Sequence, residues 1–272
     1  MAIHDVRAVV FDVGNTLWFE ANPDVPAIGR KQAERLKPLI AGWGVTLAEP
    51  IEQGIGDVWS AYLEAFAVER DRRTLREPSL PFLIRGALAA RDIDITPAQA
   101  EAWVRTSWIS EIEFGVQLYP DTLDVLRELK ELGLLVGINT NRPCTADMHR
   151  QGLRDTGIAP YVDTAVCSGD TGYFKPHSST FELVIDTLGV APHEAVMVGD
   201  NADADMHGGK ATGMRTVWKL NGRYDLPPCT EADFAIHDLA ELLSLPLFRR
   251  RARPWISAES LTPHDDGNAE RY

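Results

Sequence analysis

The second half of the chain constrains the fold most. From Val116 onward, short apolar runs alternate with amphipathic stretches. Leu134-Leu135-Val136-Gly137-Ile138, residues 164–168, Ala195-Val196-Met197-Val198 and Thr216-Val217-Trp218 read as strands, with a weaker one at 234–236. Leu134 to Ile138 and Ala195 to Val198 are apolar throughout, the pattern of strands covered on both faces. Between them the spacing predicts helices over 120–132, 145–155, 179–188, 203–211 and 238–245. Ser179 with Glu182 forms a capping-box signal, and Gly133 and Gly189 stop two of the helices. Repeated strand–helix alternation implies an α/β fold, a parallel sheet with helices on both faces.

One more strand precedes this region. Val9-Val10-Phe11 is a short apolar run ending in Asp12, then Gly14-Asn15-Thr16-Leu17. Ligands in such sheets bind past the carboxyl ends of strands, so this run delivers an acid to the place where chemistry is done. Residues 18–26 read as an irregular link. From about 27 to 114, helical spacing takes over and buried-strand runs are absent. Leu36, Leu39, Ile40 and Trp43 share a face; further helices are expected over 48–73 and 81–91. A fourth starts with Thr96 as cap, Pro97 in the first position and Gln99 three residues after the cap. Trp43, Trp59, Trp103 and Trp108 are read as packing. The block is therefore an all-helical insertion between the first strand and the rest of its sheet.

Composition narrows the partners. A net charge of −13 over 272 residues argues against nucleic acid or an anionic membrane surface, both of which need a basic footprint. No run of 18 apolar residues and no export signal at the N-terminus is present, and Cys144, Cys167 and Cys229 suggest neither a disulfide framework nor a zinc knuckle. A cytoplasmic setting is expected. The polar tail 249–272 reads as disordered or loosely docked. Arg70, Arg72, Arg73 and Arg76 read first as an exposed helix end and second as a recruiter of an anionic substrate.

Asp12, Thr140, Lys175 and Asp200 all fall at strand ends that share one rim of a parallel sheet. Together they suit phosphoryl transfer to a carboxylate. A carboxylate approaching a phosphate dianion needs cations, because two anions at contact repel. Asp12 and Asp200 can jointly hold Mg²⁺, a hard ion that prefers carboxylate oxygen. Thr140 is suited to donate a hydrogen bond to a phosphate oxygen, and Lys175 to supply positive charge.

Phe11-Asp12-Val13-Gly14-Asn15-Thr16-Leu17, Asn139-Thr140-Asn141, Gly172-Tyr173-Phe174-Lys175-Pro176 and Val198-Gly199-Asp200-Asn201-Ala202-Asp203-Ala204-Asp205 resemble, in order, the four motifs of the haloacid dehalogenase-like hydrolase superfamily. The resemblance runs from residue 5 to about 221. It implies a Rossmann-like, doubly wound core over 1–18 and 115–248, with a helical cap over 19–114. It also implies that Asp12 is nucleophile and Mg²⁺ ligand, that the Gly14 carbonyl and Asp200 are further ligands, and that Asp205 supports or replaces one of them. Asn15, Thr16 and Asn141 are expected to line the phosphate site of a small phosphorylated substrate.

The family's phosphatases usually place a second Asp two residues after the nucleophile, to protonate the leaving group. Here that position is Gly14. General acid–base help is worth about 10²–10⁴ in rate, so slow hydrolysis of a phosphate ester is one expectation. Two alternatives stand beside it: a 2-haloacid dehalogenase, which the acidic pair Asp200 and Asp205 disfavours, and a catalytically impaired phospho-ligand binding or regulatory module. The phosphonate-cleaving branch needs a cap lysine as Schiff base, and the insertion offers only Lys31 and Lys37, which read as solvated.

Overall fold

A computed structural model describes residues 6–21, 23–46, 50–223 and 225–248; the expectations for the N-terminus and for the tail 249–272 lie outside them. The strands are β1 (Ala8–Phe11), β2 (Trp18–Glu20), β3 (Val116–Leu118), β4 (Leu135–Thr140), β5 (Thr164–Cys167), β6 (Ala195–Gly199), β7 (Arg215–Lys219) and β8 (Phe234–Ile236). Six form a wholly parallel sheet in the order β5-β4-β1-β6-β7-β8. The chain winds outward from β1 first one way and then the other, the Rossmann-like doubly wound order, and the reversal opens a crevice at the carboxyl end of β1.

Period-two alternation decides which face each side chain covers. Val9 and Phe11 pack with Leu126 and Leu129 of α5 (Thr122–Glu131) and Leu153 of α6 (Ala146–Asp155). Ala8 and Val10 pack on the other face with Phe181, Val184 and Ile185 of α8 (Ser178–Leu188). Gly137 in β4 lets α8 sit down directly, since a Cβ there would lie 2.8 Å from a Val184 methyl.

The insertion folds as α1 (Val25–Gly42), α2 (Ile51–Asp71), α3 (Leu80–Ala89) and α4 (Pro97–Ser107). It has an apolar interior of its own, including Leu36, Ile40, Ile55, Val58, Ile84 and Trp103, with Trp43 and Trp59 packed against it. Its helices start where capping chemistry dictates: Asp24 accepts from Ala27 N, Ser79 from Phe82 N, and Thr96 with Gln99 closes a reciprocal capping box. No helix among the described residues is long and apolar enough to cross a membrane.

Several local expectations are corrected. Residues 18–20 are not an irregular link: β2 pairs antiparallel with β3, Trp18 opposite Leu118 and Glu20 opposite Val116. Three residues are too few for period-two alternation to show. The Ser179–Glu182 capping box does not form, because α8 begins earlier and His177 Nδ1 accepts from Ser179 N at 3.3 Å. Ser168 ends no strand but opens α7 (Ser168–Thr171). The expected helix at 203–211 is a π-helical turn, Ala202–His207, running into a short α9 (Gly208–Ala211). Residues 239–244 wind as a 3-10 helix.

Candidate active site

The Asp12 amide donates to Val198 O at 2.9 Å, so the β1–β6 ladder continues one residue past the strand and holds the carboxylate at the rim. The chain then turns tightly, with the amides of Thr16, Leu17 and Trp18 all aimed at Val13 O. Asn15 takes a left-handed φ of 55° within this turn, and its carbonyl is held by Asn221 Nδ2 at 2.8 Å.

Lys175 Nζ lies 2.7 Å from Asp12 Oδ1 and 2.6 Å from Asp205 Oδ1, and the lysine is 3% exposed. Thr16 Oγ1 reaches Asp12 Oδ2 at 3.4 Å. Asp205 Oδ2 accepts from Asn201 N at 3.0 Å. That approach requires Gly199, where a Cβ would stand 2.2 Å from Asp205 Oδ2. Asp200, half-buried, has its carbonyl tied by Trp218 Nε1 at 2.9 Å and its carboxylate 3.6 Å from Arg223. Oxygens of Asp12, Asp200 and Asp205 lie within 4.8 Å of one another.

Three carboxylates around one buried ammonium leave an excess of negative charge. Burial and then the Asp12 charge push Asp200 up to about 6. Burial also carries Asp205 up to about 7, against the pull of Lys175. For Lys175 burial acts downward, but Asp12 and Asp205 outweigh it and hold the ammonium above its ordinary range. An all-oxygen cluster with protons held this firmly is short of positive charge, and a hard divalent cation such as Mg²⁺ fits it.

Of the remaining expected residues, Thr140 closes β4, the strand paired with β1, and is buried, its hydroxyl without a partner among the described residues. Asn141 is spent differently from expectation. Its Oδ1 accepts from Lys175 N at 2.7 Å and its Nδ2 faces Lys175 O at 3.4 Å, so the amide brackets the lysine's backbone instead of facing a phosphate. Gly14 and Asn15 are exposed at the mouth of the turn. Sequence reasoning missed Asn201, Trp218, Asn221 and Arg223. The only signal for them was their position, Trp218 within β7 and the other three in the loops just past β6 and β7.

The chain matches the family described as haloacid dehalogenase-like hydrolase over residues 6–213. It is 34% identical over 125 residues to a phosphoserine phosphatase of Thermus thermophilus, covering 46% of this chain and 49% of that one. It is 32% identical over 176 residues to the pyrophosphatase PpaX of Bacillus pumilus, covering 62% and 79%. The chain spans about half the length of several of the curated relatives it matches. A solved phosphatase of the same family from Thermococcus onnurineus superposes with a TM-score of 0.52 at 26% identity, covering 88% of this chain and 97% of that one. Since the match takes in the first strand, the helical insertion and the sheet as far as the turn before β7, the chain belongs to the haloacid dehalogenase-like hydrolases.

Proposed function

We propose that the protein hydrolyses a small phosphate ester through an aspartyl-phosphate on Asp12, with Mg²⁺. The supporting observation is Lys175 Nζ bridging Asp12 and Asp205, with Asp200 in the same cluster. The phosphatase names of relatives at 32–34% identity agree with it. The Asp12 and Asp200 carboxylates and the Gly14 carbonyl would hold the metal, with Asp205 behind them. When bound, Mg²⁺ offsets the repulsion between a carboxylate and a phosphate dianion.

The chain's own groups do the rest. Lys175 fixes Asp12 Oδ1 and neutralises part of the charge that gathers on the transferring group. An Asp12 oxygen attacks phosphorus, the bond to the leaving oxygen breaks with its electron pair staying on that oxygen, and the resulting alkoxide takes a proton from solvent to leave as the alcohol. Thr140 donates its unshared hydroxyl to a non-bridging oxygen. Water then attacks the aspartyl-phosphate, returning the carboxylate and releasing phosphate. Both leaving-group protonation and water activation lack a side chain at position 14, so good leaving groups are favoured.

The test is turnover of para-nitrophenyl phosphate, whose leaving group needs little protonation. Mg²⁺-dependent release should fall about 10³-fold or more in Asp12→Asn. Halide release from 2-chloropropionate without metal would overturn the reading in favour of a dehalogenase. Phosphate binding without turnover would overturn it in favour of a binding module.

A further inference from the structure

The last turn of α2 and the segment that follows it hold Arg70, Arg72, Arg73 and Arg76 within a chain of net charge −13. This stretch is not a loose helix end. Phe174 N donates to Leu75 O and Glu77 N to Gly172 O, both at 2.9 Å, and Arg76 faces Tyr173 in an antiparallel bridge. Below, the Phe66 and Phe174 rings meet at a tilt of 31° with centroids 4.2 Å apart, and Leu75 is buried. The insertion is thus clamped to the three residues that lead into Lys175.

The backbone here is strained as well as fixed. Arg73 and Leu75 both take left-handed φ values, 57° and 56°. Non-glycine residues hold such angles only where the surroundings over-determine them, and such sites cluster at ligand clamps. Two of the four arginines have acidic partners. Arg70 meets Asp71, and Arg73 reaches Asp203 Oδ2 at 2.8 Å. Asp203 lies in the chain between Asp200 and Asp205, so that contact brings the segment to the rim of the acidic site. Arg72 and Arg76 are exposed and have no acidic partner among the described residues.

We propose that this segment is a subsite for a second anionic group: the substrate is a phosphate ester whose alcohol part carries a carboxylate or another phosphate, met by Arg72 and Arg76. The inference rests on the phosphatase reading and adds a substrate class to it. A helix end that merely sits in water needs neither the backbone clamp beside Lys175 nor the two left-handed residues. Fixing the backbone that carries these arginines in advance lowers part of the ordering cost of binding a second charge.

The test compares matched pairs, glycerol 3-phosphate with 3-phosphoglycerate for the carboxylate, and fructose 6-phosphate with fructose 1,6-bisphosphate for the phosphate. In at least one pair the doubly anionic member should have the higher kcat/KM, by about tenfold, as expected for two guanidinium groups near one anion. The preferring pair identifies the anion. R72A/R76A should abolish the preference, and R72K/R76K should keep part of it. No preference in either pair, or equal losses on both members in R72A/R76A, would overturn the inference. Turnover of para-nitrophenyl phosphate in the unmodified protein would meanwhile leave the phosphatase reading standing; its absence would remove both.

Discussion

Gly14 sits where a general acid would be most useful, and the structure leaves room for one. A Cβ on Gly14 meets no heavy atom within 4 Å, and its φ lies outside the left-handed region. Gly14→Asp therefore adds a carboxyl next to Asp12 without forcing the turn. The expected outcome is a kcat increase toward the about 10²–10⁴ that acid–base help supplies, larger for an alkyl phosphate than for para-nitrophenyl phosphate. Equal rates at an unchanged melting temperature would mean that protonation does not limit turnover. Asp12 and Asp200 were legible in the sequence because an apolar run that stops at an acid marks a strand end by itself. Asn141 was legible as a residue but not in its role. Its amide is spent on Lys175, 34 positions away, and such a pairing exists only after the strands are side by side. Asn221, which holds the Asn15 carbonyl, was invisible for the same reason.

Between residue and fold, the returning linker and α6 share a buried charge cluster. Glu111 Oε1 lies 2.9 Å from His149 Nδ1 and 3.2 Å from an Arg142 guanidinium nitrogen, and both Glu111 and His149 are buried. Arg142 stands over the Trp18 ring at 5.5 Å, and His149 meets the same ring edge-on. The cluster thus ties β2, the linker ahead of β3 and the loop after Thr140 together. Burial acts upward on Glu111, but His149 and Arg142 outweigh it and hold the carboxyl below its usual range. Burial lowers His149 in spite of Glu111. A neutral ring beside an ionised carboxylate must carry its proton on Nδ1. Gly152 makes the cluster possible, because a Cβ there would fall 1.5 Å from Glu111 Oε2. Gly152→Ala should expel Glu111 and cost about 3 kcal/mol, read as a lower urea midpoint at constant m-value. A midpoint equal to that of the unsubstituted protein would show that the carboxylate is not held there. None of this was legible beforehand, since Gly152 lies in the middle of a helical pattern and the sequence reads simply as α6. The long helices and all six strands of the parallel sheet were legible, because periodicity over many residues or a run of buried apolar side chains marks them. What failed were the two-stranded pair β2 and β3 and the helix ends, where one local hydrogen bond such as Ser179 N to His177 Nδ1 decides the outcome.

For the whole molecule, acidity and fold converge on one rim. The order β5-β4-β1-β6-β7-β8 sends every carboxyl end the same way, and the sequence predicted that convergence without predicting how the insertion docks. The crowding of acids at the rim should make stability depend on pH and, on the proposed reading, on a divalent cation. Asp200, raised to about 6, and Asp205, raised to about 7, both stand above their ordinary value of 3.8. A raised carboxyl contributes stability that is complete below about pH 4 and is lost as pH climbs through 6 and 7. A cation that binds only the folded state reverses this loss, and it must displace those protons to bind. The rise in melting temperature on adding Mg²⁺ should therefore be small at pH 5.5 and grow up to pH 8. At 100 times its dissociation constant the ion adds about 2.7 kcal/mol, which for a domain of this size is about 5–10 °C. Glu111 and His149 act in the other direction, losing stability as pH falls, but they are the same with and without the ion and cancel in the difference. Differential scanning fluorimetry at matched ionic strength reads it directly. In Asp200→Asn the pH dependence should flatten along with the shift itself. An increment equally large at pH 5.5 and pH 8 would mean that the ion binds somewhere other than this cluster.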